Sequence, residues 1–374
     1  MLNSDIELTK SLSAAIAHLV PRAFGAGAEL DSSPPTRIDR RYSFMFRYQV
    51  RMQNGKLLSL LVKIPHQDWV KSMEEAIASE QVRKEVKDEF EIMQSIYSII
   101  QESKRPHLSA INPVGGYLLD FNAIVMEEVP LQMLKSYLSR SSIIMNKHSA
   151  WTDFENMLNR AGEWLMVIHT AFQRNRTATL GELDVWQKTQ DEISVLESIT
   201  KTRLDSISAL LAQLYKLIGN VDVPVSSLHN DYQLGNIFVT PENGVGALDP
   251  NWKERGAIYE DLASLLIDPV TRKFQVLFQG LIFRRAQRKR YEEAILQGYF
   301  DNTNYPLGVI YFYCALAALG KWHANEELLR SHASQLARIM ILVGSLLAGL
   351  YFRRLIQDYL KLGLDSAKIL NERK

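Results

Sequence analysis

The sequence has a single cysteine, Cys314, among its 374 residues. One cysteine excludes an internal disulfide framework, the usual scaffold of small secreted domains. The apolar stretch around it, from Tyr311 to Leu319, predicts that Cys314 is a small buried hydrophobic side chain. No histidines and cysteines have the spacing of a zinc site. The sequence therefore gives no sign of an oxidising compartment or of a structural metal.

Neither sign of charge is in excess, and long apolar runs are missing. The chain has 43 Lys and Arg residues against 42 Asp and Glu, a net charge of +1, so no overall field favours nucleic acid or a membrane. The most apolar stretch, Ile339 to Phe352, has about 14 residues, whereas a membrane-spanning helix needs about 20. We expect this stretch to form a buried helix, and we expect no nucleic-acid partner and no membrane span.

The first residues do not have the pattern of a signal peptide. Residues 5–20 predict an amphipathic helix with acids near its start, whereas a signal peptide has a basic segment followed by an apolar core. The default expectation is a cytoplasmic protein.

The stretch from His229 to Asn236 reads His-Asn-Asp-Tyr-Gln-Leu-Gly-Asn and is the most informative part of the chain. Phosphoryl transfer needs a carboxylate that orients and deprotonates the acceptor hydroxyl, and oxygen ligands that hold Mg²⁺ on the phosphates. Asp231 fits the first role as catalytic base. Asn236 and the later Asp249 fit the second role as metal ligands.

A hairpin explains how Asn236 and Asp249 meet. The apolar run 237–239 follows Asn236, and Pro241-Glu242-Asn243-Gly244 has the composition of a turn. The return strand, 245–248, ends at Asp249, so we expect Asp249 to lie beside Asn236.

This stretch resembles the catalytic loop of the aminoglycoside phosphotransferase and choline kinase-like family. In that family the loop typically reads His-Gly-Asp-x-x-x-Gly-Asn, and the metal-binding Asp follows a strand. Gly235 matches the pattern, whereas Asn230 stands in place of the usual Gly and Gln233 in place of the usual basic or His residue. These departures leave the base and metal roles intact but leave the substrate open.

The resemblance implies a fold, cofactors and an acceptor. The implied fold is an α+β, two-lobed, protein-kinase-like architecture with a small β-rich N-lobe and a larger, mostly helical C-lobe. Residues 1–130 would form the nucleotide-binding lobe, and residues 131–374 the helical lobe with the catalytic loop and acceptor site. ATP and Mg²⁺ are the implied cofactors, and a hydroxyl of a small molecule or glycan is the implied acceptor of the γ-phosphoryl group.

The first lobe contains a predicted hairpin that carries a lysine. Residues 43–52 alternate apolar and polar side chains, Asn54-Gly55 predicts a tight turn, and residues 57–64 form the partner strand. The resemblance implies that Lys63 in this strand binds the nucleotide phosphates. A helix predicted at roughly 73–100 carries Glu89, which would pair with Lys63; Glu85, one turn earlier, is the alternative partner.

The phosphate-covering loop is unusual. No Gly-x-Gly-x-x-Gly precedes Lys63 at the expected distance, and a P-loop pattern is absent. The connection 38–43 has no glycine, so Ser43 and backbone N–H groups would have to cover the phosphates. The alternative is a degraded loop, which would fit a non-catalytic nucleotide-binding pseudokinase or scaffold on the same fold. A protein kinase is disfavoured, because neither a Lys two residues after Asp231 nor Ala-Pro-Glu is present.

Other site residues follow from the resemblance. Residues 126–130 match the hinge between kinase lobes, where the backbone of Glu127 and Val129 would hold the adenine edge. Asp261, within Tyr-Glu-Asp-Leu-Ala, would stabilise the catalytic loop through hydrogen bonds, and His229 would brace that loop without doing chemistry. His169, at the end of a helix stripe, is also expected to be structural.

The C-terminal half predicts a long helix at 190–218 and two further helical blocks at 290–326 and 330–366. Between Val270 and Arg290 it also has seven basic residues and no acid. A basic wall favours an anionic acceptor, and the alternative is a solvated basic helix face. The oligomeric state is left open.

Overall fold

The computed structural model describes residues 2–40, 42–67, 70, 72–141, 148–173, 176–283, 285–300, 305–331 and 337–372. The chain forms two compact units. The first is Met1–Leu131 with Thr240–Gly246, and the second is Gln132–Val239 with Ala247–Lys374.

The first unit is built on a six-stranded antiparallel sheet. Three helices and one 3₁₀ turn at Leu119–Phe121 accompany it. The elements are β1 (Glu29–Leu30), β2 (Thr36–Arg40), β3 (Ser43–Arg51), β4 (Leu57–Pro65), β5 (Pro113–Leu118), β6 (Ala123–Glu127), α1 (Leu2–Phe24), α2 (Met73–Ala78) and α3 (Glu80–Glu102). In the sheet, β1, β3, β4, β6 and β5 are neighbours in that order, and β2 pairs with β3.

The predicted alternation of side chains along the strands is present, and it determines which residues face the core. Phe46, Tyr48 and Val50 of β3 are buried in one core together with the leucine and isoleucine side chains of α1. Alternate residues of a strand point to opposite faces, so Lys63 of β4 lies on the face opposite to the buried Val62 and Ile64. The Asn54-Gly55 turn is also present, with the Met52 N–H donating to the Lys56 carbonyl at 2.8 Å and Gly55 at a φ of +78°.

The prediction of a single helix at 73–100 is wrong, because the segment forms two helices. Ser79 ends α2 in an extended conformation and caps α3 by accepting a hydrogen bond from the Val82 N–H. The buried Asn122 amide holds the break by donating to the carbonyls of Ala76, Ile77 and Ser79. A buried partner from a distant turn therefore outweighs the continuous apolar stripe.

The second unit is mostly helical. Its described residues contain nine helices and six short strands, one of which, Val245–Ala247, begins in the first unit. They are α4 (Leu134–Ser141), α5 (His148–Gln173), α6 (Val185–Thr200), α7 (Asp205–Ile218), α8 (Tyr259–Thr271), α9 (Lys273–Leu277), α10 (Arg285–Tyr299), α11 (Leu307–Ser331), α12 (Ala337–Glu372), β7 (Gln132–Met133), β8 (Thr177–Thr179), β9 (Asp222–Leu228), β10 (Ile237–Val239), β11 (Val245–Ala247) and β12 (Lys253–Ala257).

The predicted long helix at 190–218 is also wrong. It consists of α6 and α7, separated at Lys201, which has a φ of +56°. The Glu197 carboxylate accepts the Leu204 N–H and orders the connection. Likewise, the block 290–326 divides into α10 and α11, and the block 330–366 corresponds to α12, with residues 332–336 outside the described part of the chain.

The stretch Ile339 to Phe352 is helical, as expected, but it is not buried throughout. Ala348, Tyr351 and Phe352 are buried, whereas Leu346 and Leu350 are more than half exposed. In the part of the chain that the structure describes, no helix is long and apolar enough to cross a membrane.

Candidate functional site

The loop from His229 to Asn236 connects β9 to β10 and is fixed by a buried carboxylate. Asp261 of α8 is 1% exposed and accepts the His229 N–H at 2.7 Å on one oxygen and the Asn230 N–H at 2.7 Å on the other. His169 Nε2 lies 3.1 Å from the same carboxylate, and His169 Nδ1 meets the Tyr299 hydroxyl at 2.8 Å. The Asp-Leu-Ala segment thus holds the start of the loop through main-chain hydrogen bonds.

Asn230 occupies a position that glycine fills in the resembling family. Its φ is +60°, in the left-handed region. Asn is among the few side chains that enter this region at low cost, because its short polar group can bond locally. The replacement of Gly by Asn therefore preserves the backbone shape of the loop.

His229 supports the loop by packing. Its ring is buried, and neither ring nitrogen has a hydrogen-bond partner. The ring lies edge-on to Tyr232, which stacks on Trp164 with ring centroids 5.4 Å apart. Burial lowers the pKa of the His229 ring, and the nearby Asp261 and Asp231 carboxylates only partly offset that effect. A neutral, packed imidazole follows, and its main chain rather than its ring contacts the aspartate.

Both carboxylate oxygens of Asp231 are oriented by amides from its own loop. Gln233 Nε2 donates to one oxygen at 2.9 Å, and Asn236 Nδ2 donates to the other at 2.6 Å. Lys321 of α11 in turn donates to Gln233 Oε1 at 3.3 Å. Gln233 therefore links the candidate base to a cation 88 residues further along the chain, a contact that the sequence gave no signal for.

The hairpin brings Asn236 and Asp249 together as expected. The Leu248 N–H donates to the Asn236 carbonyl at 2.8 Å, which places Asp249 next to Asn236 at the end of β11. At the turn, Thr240 N–H donates to the Gly244 carbonyl at 2.8 Å. Asp249 is exposed and has a left-handed φ of +50°.

The Asn236–Asp249 pair offers oxygen atoms of the kind that Mg²⁺ prefers as ligands. Because Asn236 Nδ2 donates to Asp231, its amide oxygen is the atom left to act as a ligand. One amide oxygen and one carboxylate are hard ligands, and Mg²⁺ completes its shell with phosphate oxygens and water. Among the described residues, no group of three or more His, Cys, Asp or Glu side chains is arranged to hold a metal by itself.

A second acid fixes the middle of the loop, and the sequence gave no indication of it. The Leu234 N–H donates to the buried Asp268 at 3.2 Å, and Arg272 forms an ion pair with the same carboxylate at 2.5 Å. Three further bases of the stretch 270–290 are also in ion pairs: Arg288 with Glu292, Lys289 with Glu293 and Arg290 with Glu155. The stretch is therefore far less positive than its sequence indicates.

In the first unit, Lys63 and Glu89 form the ion pair that the sequence suggested. Lys63 Nζ lies 2.7 Å from Glu89 Oε1, and both side chains are mostly buried. The alternative partner, Glu85, is engaged elsewhere, because its two oxygens accept from Gln67 and Gln81. The role of Lys63 in phosphate binding stays a prediction.

The other predicted nucleotide contacts lie on the same sheet. Ser43 begins β3, is 6% exposed, and pairs with Arg40 across the short turn between β2 and β3. The Glu127 N–H donates to the Asn112 carbonyl at 3.0 Å. The carbonyl of Glu127 is therefore its backbone group that is available to an adenine. Val129 follows β6 in the irregular connection and is half-buried. Their contacts with a nucleotide stay a prediction.

A cavity of about 320 Å³ lies in the second unit. Its lining includes Lys253, Glu260 and Gly320. Glu260 precedes the clamp residue Asp261, and Gly320 precedes Lys321, which contacts Gln233. The apolar part of the wall comes mainly from α11.

We expect Asp261→Ala to lower the free energy of unfolding by about 3–5 kcal/mol, because it leaves the buried His229 N–H, the partly buried Asn230 N–H and the buried His169 ring without their acceptor. Chemical denaturation would measure the change. Glu293→Ala, which removes only an exposed ion pair, is the matched control and should change stability by less than about 0.5 kcal/mol. Equal stability of the two variants would contradict this role of Asp261.

No protein-family model and no curated protein sequence matches this chain. The fold, in contrast, is found among solved structures. A choline/ethanolamine kinase family protein from Mesorhizobium loti aligns over 96% of this chain and 99% of its own, with a TM-score of 0.51 and 14% identity. A glucosamine kinase aligns over 88% of this chain and 79% of its own, with a TM-score of 0.52 and 12% identity.

A glucosamine kinase in complex with glucosamine, ADP and inorganic phosphate is also similar to this chain. It aligns over 88% of this chain and 81% of its own, with a TM-score of 0.52 and 12% identity. The chain therefore shares the fold of these kinases, which confirms the two-part, protein-kinase-like fold expected from the sequence. Its α+β class, with a β-rich first unit and a mostly helical second unit, agrees with the expectation from the sequence.

Proposed function

We propose that the protein is an ATP-dependent phosphotransferase that moves the γ-phosphoryl group to a hydroxyl of a small molecule or glycan. The observation that carries this proposal is the state of Asp231. Its carboxylate is oriented by Gln233 and Asn236 in a loop whose start is held by the buried Asp261. A carboxylate held in this way by neutral donors stays available to orient a hydroxyl and accept its proton.

The remaining residues have complementary roles in the proposal. Asn236 and Asp249 would hold Mg²⁺, which supplies charge neutralisation on the phosphates. Lys63, positioned by Glu89, would bind phosphate oxygens, and the segment from Glu127 to Val129 would hold the adenine through its backbone. Asp231 orients the acceptor hydroxyl and receives its proton late in the transfer, since an alcohol is a weak acid.

A non-catalytic nucleotide-binding protein is the alternative, and one observation favours it. Ser43, the side chain proposed to cover the phosphates in the absence of glycine, is almost fully buried at the start of β3. The protein would then bind nucleotide without transferring phosphate.

Transfer of label from γ-phosphate-labelled ATP to a panel of alcohols separates the two functions. The panel should include neutral sugars, anionic sugar phosphates, aminoglycosides and choline, with and without Mg²⁺. Metal-dependent labelling of at least one alcohol supports the phosphotransferase. Binding of Mg-ATP with no labelling of any acceptor would support the non-catalytic alternative.

We further propose the 320 Å³ cavity of the second unit as the acceptor site. Its volume is at the lower end of the range for small-molecule sites, about 300–1,000 Å³. Its charges are balanced, because the lining has two bases, Lys188 and Lys253, and two acids, Glu192 and Glu260. Lys253 and Glu260 form an ion pair at 2.5 Å. A wall with paired charges and an apolar side favours a neutral, hydroxyl-rich acceptor such as a sugar over the anionic acceptor expected from the sequence.

Filling this cavity should affect the acceptor alone. Ala317→Phe places a ring in the cavity, so we expect the KM for the acceptor to rise at least about tenfold while the Kd for Mg-ATP is unchanged. Steady-state kinetics with the alcohol found in the panel would measure both. Ala324→Phe, on the exposed side of the same helix, is the matched control. An unchanged KM in Ala317→Phe would exclude this cavity as the acceptor site.

A further inference from the structure

The short helix α9 and the turn after it expose four large apolar side chains in eight residues. The exposed fractions are 69% for Phe274, 41% for Leu277, 53% for Phe278 and 71% for Leu281. Single exposed hydrophobic residues are ordinary, but contiguous ones mark a surface that binds something. We name these four residues the apolar tip.

The apolar tip is held in place rather than loosely attached. The buried Gln275 side chain clamps Phe283 by accepting its N–H and donating to its carbonyl, both at 3.1 Å. Gln279 Nε2 donates to the Leu347 carbonyl of α12 at 2.7 Å, and Arg354 of α12 donates to the Gln279 carbonyl at 2.6 Å. These hydrogen bonds fix the segment in a conformation that exposes its apolar side chains.

Helix α12 extends the apolar surface next to this contact. Val343, Leu346 and Leu350 are 52%, 64% and 57% exposed. Their spacing of three and four residues places them on one side of the helix, and Leu347, whose carbonyl binds Gln279, lies between the last two. The exposed surface therefore continues from the turn onto a second element.

Basic residues surround the apolar tip. Lys273 and Arg285 are exposed at its two ends, and neither is in an ion pair among the described residues. The residues from 270 to 290 include no acid. Although several bases of this stretch pair with acids elsewhere in the chain, no carboxylate of the stretch itself opposes an approaching anion.

A cleft with three arginines opens beside the tip. It has a volume of about 200 Å³, and Arg285, Arg288 and Arg354 line it together with Gly280 of the turn. Arg288 is committed to Glu292 at 3.2 Å and to the ring of Tyr359. Arg285 and Arg354 are exposed, and Asp358 is the one acid in the lining. The cleft suits a small anion such as a phosphate group.

We propose that the apolar tip and this cleft dock the protein on an anionic phospholipid bilayer. The Phe and Leu side chains enter the boundary between headgroups and acyl chains, the bases at their edge contact anionic headgroups, and the arginine cleft holds one headgroup phosphate. This is attachment to a surface and requires no spanning helix. The proposal is independent of the phosphotransferase function.

Charge decides between a bilayer and a second copy of the chain. A symmetric dimer through this surface would bring the same bases of both copies together, since an isologous interface pairs one patch with itself. Uncompensated like charges oppose such a contact. An anionic bilayer matches both properties of the surface at once, because it offers negative headgroups above an apolar layer.

Flotation of the full-length protein with vesicles tests the proposal. We expect the wild type to bind vesicles of phosphatidylcholine with phosphatidylglycerol and not vesicles of phosphatidylcholine alone, with binding that weakens as salt is added. The double substitution Phe278→Ser with Leu281→Ser should reduce binding at least about tenfold, because two apolar side chains no longer leave water. Arg285→Glu should reduce it about tenfold through charge alone.

Val195→Ser, at an apolar position on α6 that is 42% exposed, is the control away from the apolar tip and should bind like the wild type. Thermal unfolding of all variants checks that each is folded, and Arg285→Glu tests the surface without altering its apolar part. Equal binding to neutral and anionic vesicles, or wild-type binding by both tip variants, would overturn the proposal. It would also be overturned if sedimentation showed a wild-type dimer that Phe278→Ser with Leu281→Ser converts to a monomer.

Discussion

Asp231→Asn is expected to lower turnover by about 10²- to 10⁴-fold, the usual effect of losing a positioned base, while the fold and the affinity for Mg-ATP are retained. The substituted amide keeps one oxygen that can accept from Asn236. Gln233 loses one acceptor, but its own amide oxygen still accepts from Lys321. The loop is held independently by Asp261 and Asp268, so its backbone should not move.

The measurement compares kcat and the Kd for Mg-ATP in the wild type, Asp231→Asn and the control Asp222→Asn. Asp222 is exposed at the start of β9, in the same unit, and its substitution makes the same chemical change away from the loop. If Asp231→Asn turned over acceptor within a few-fold of the wild type, Asp231 would not be the base.

Asp249→Ala is expected to abolish the effect of Mg²⁺ on ATP binding. A carboxylate that faces phosphates without a metal repels them, so metal and nucleotide should bind as a unit in the wild type and not in the variant. Calorimetry with and without Mg²⁺ would measure this difference. Because Asp249 has a φ of +50°, Asp249→Asn is a useful second variant that tolerates the same backbone shape and removes the charge.

Lys63→Ala provides the contrast for this experiment. Lys63 would contact phosphates directly, so its loss should weaken ATP binding in both conditions and preserve the dependence on Mg²⁺. Lys56→Ala, an exposed lysine in the turn that leads into the same strand, is the control. Equal affinity for ATP with and without Mg²⁺ in the wild type would contradict the assignment of Asn236 and Asp249 as metal ligands.

The parts of the structure that could be predicted depend on local chemistry. The Asn54-Gly55 turn, the alternation of β3 and β4, and the hairpin that joins Asn236 to Asp249 each follow from residues within a few positions of one another. The pairing of Lys63 with Glu89 was expected from a resemblance in motif, with Glu85 as the alternative, and the structure selects Glu89.

The parts that could not be predicted depend on partners far away in the chain. Asn122 divides the helix expected at 73–100, and the apolar stripe that continues through the break contains no sign of it. Lys321 reaches Gln233 from α11, 88 residues later. A periodic pattern reports which side of a helix is apolar, but it does not report which distant side chain will satisfy a buried polar group.

The basic stretch illustrates the same limit for function. Its sequence favoured an anionic acceptor, yet Arg272, Arg288 and Arg290 are paired with Asp268, Glu292 and Glu155. Only the folded chain reveals which charges are compensated. It also reveals that, among the described bases of the stretch, the uncompensated ones, Lys273 and Arg285, lie beside exposed apolar side chains and do not line the 320 Å³ cavity.

A single-turnover reaction tests the central claim most directly. Enzyme in excess over γ-phosphate-labelled ATP is mixed with Mg²⁺ and the best alcohol of the panel, and ADP and the phosphate ester of the alcohol are measured together over time. The account predicts that both appear at the same rate and in equal amounts with the wild type, and at least about 10²-fold more slowly with Asp231→Asn. Mg-ATP that is bound but yields no phosphate ester, or yields it equally fast with both proteins, would contradict the account.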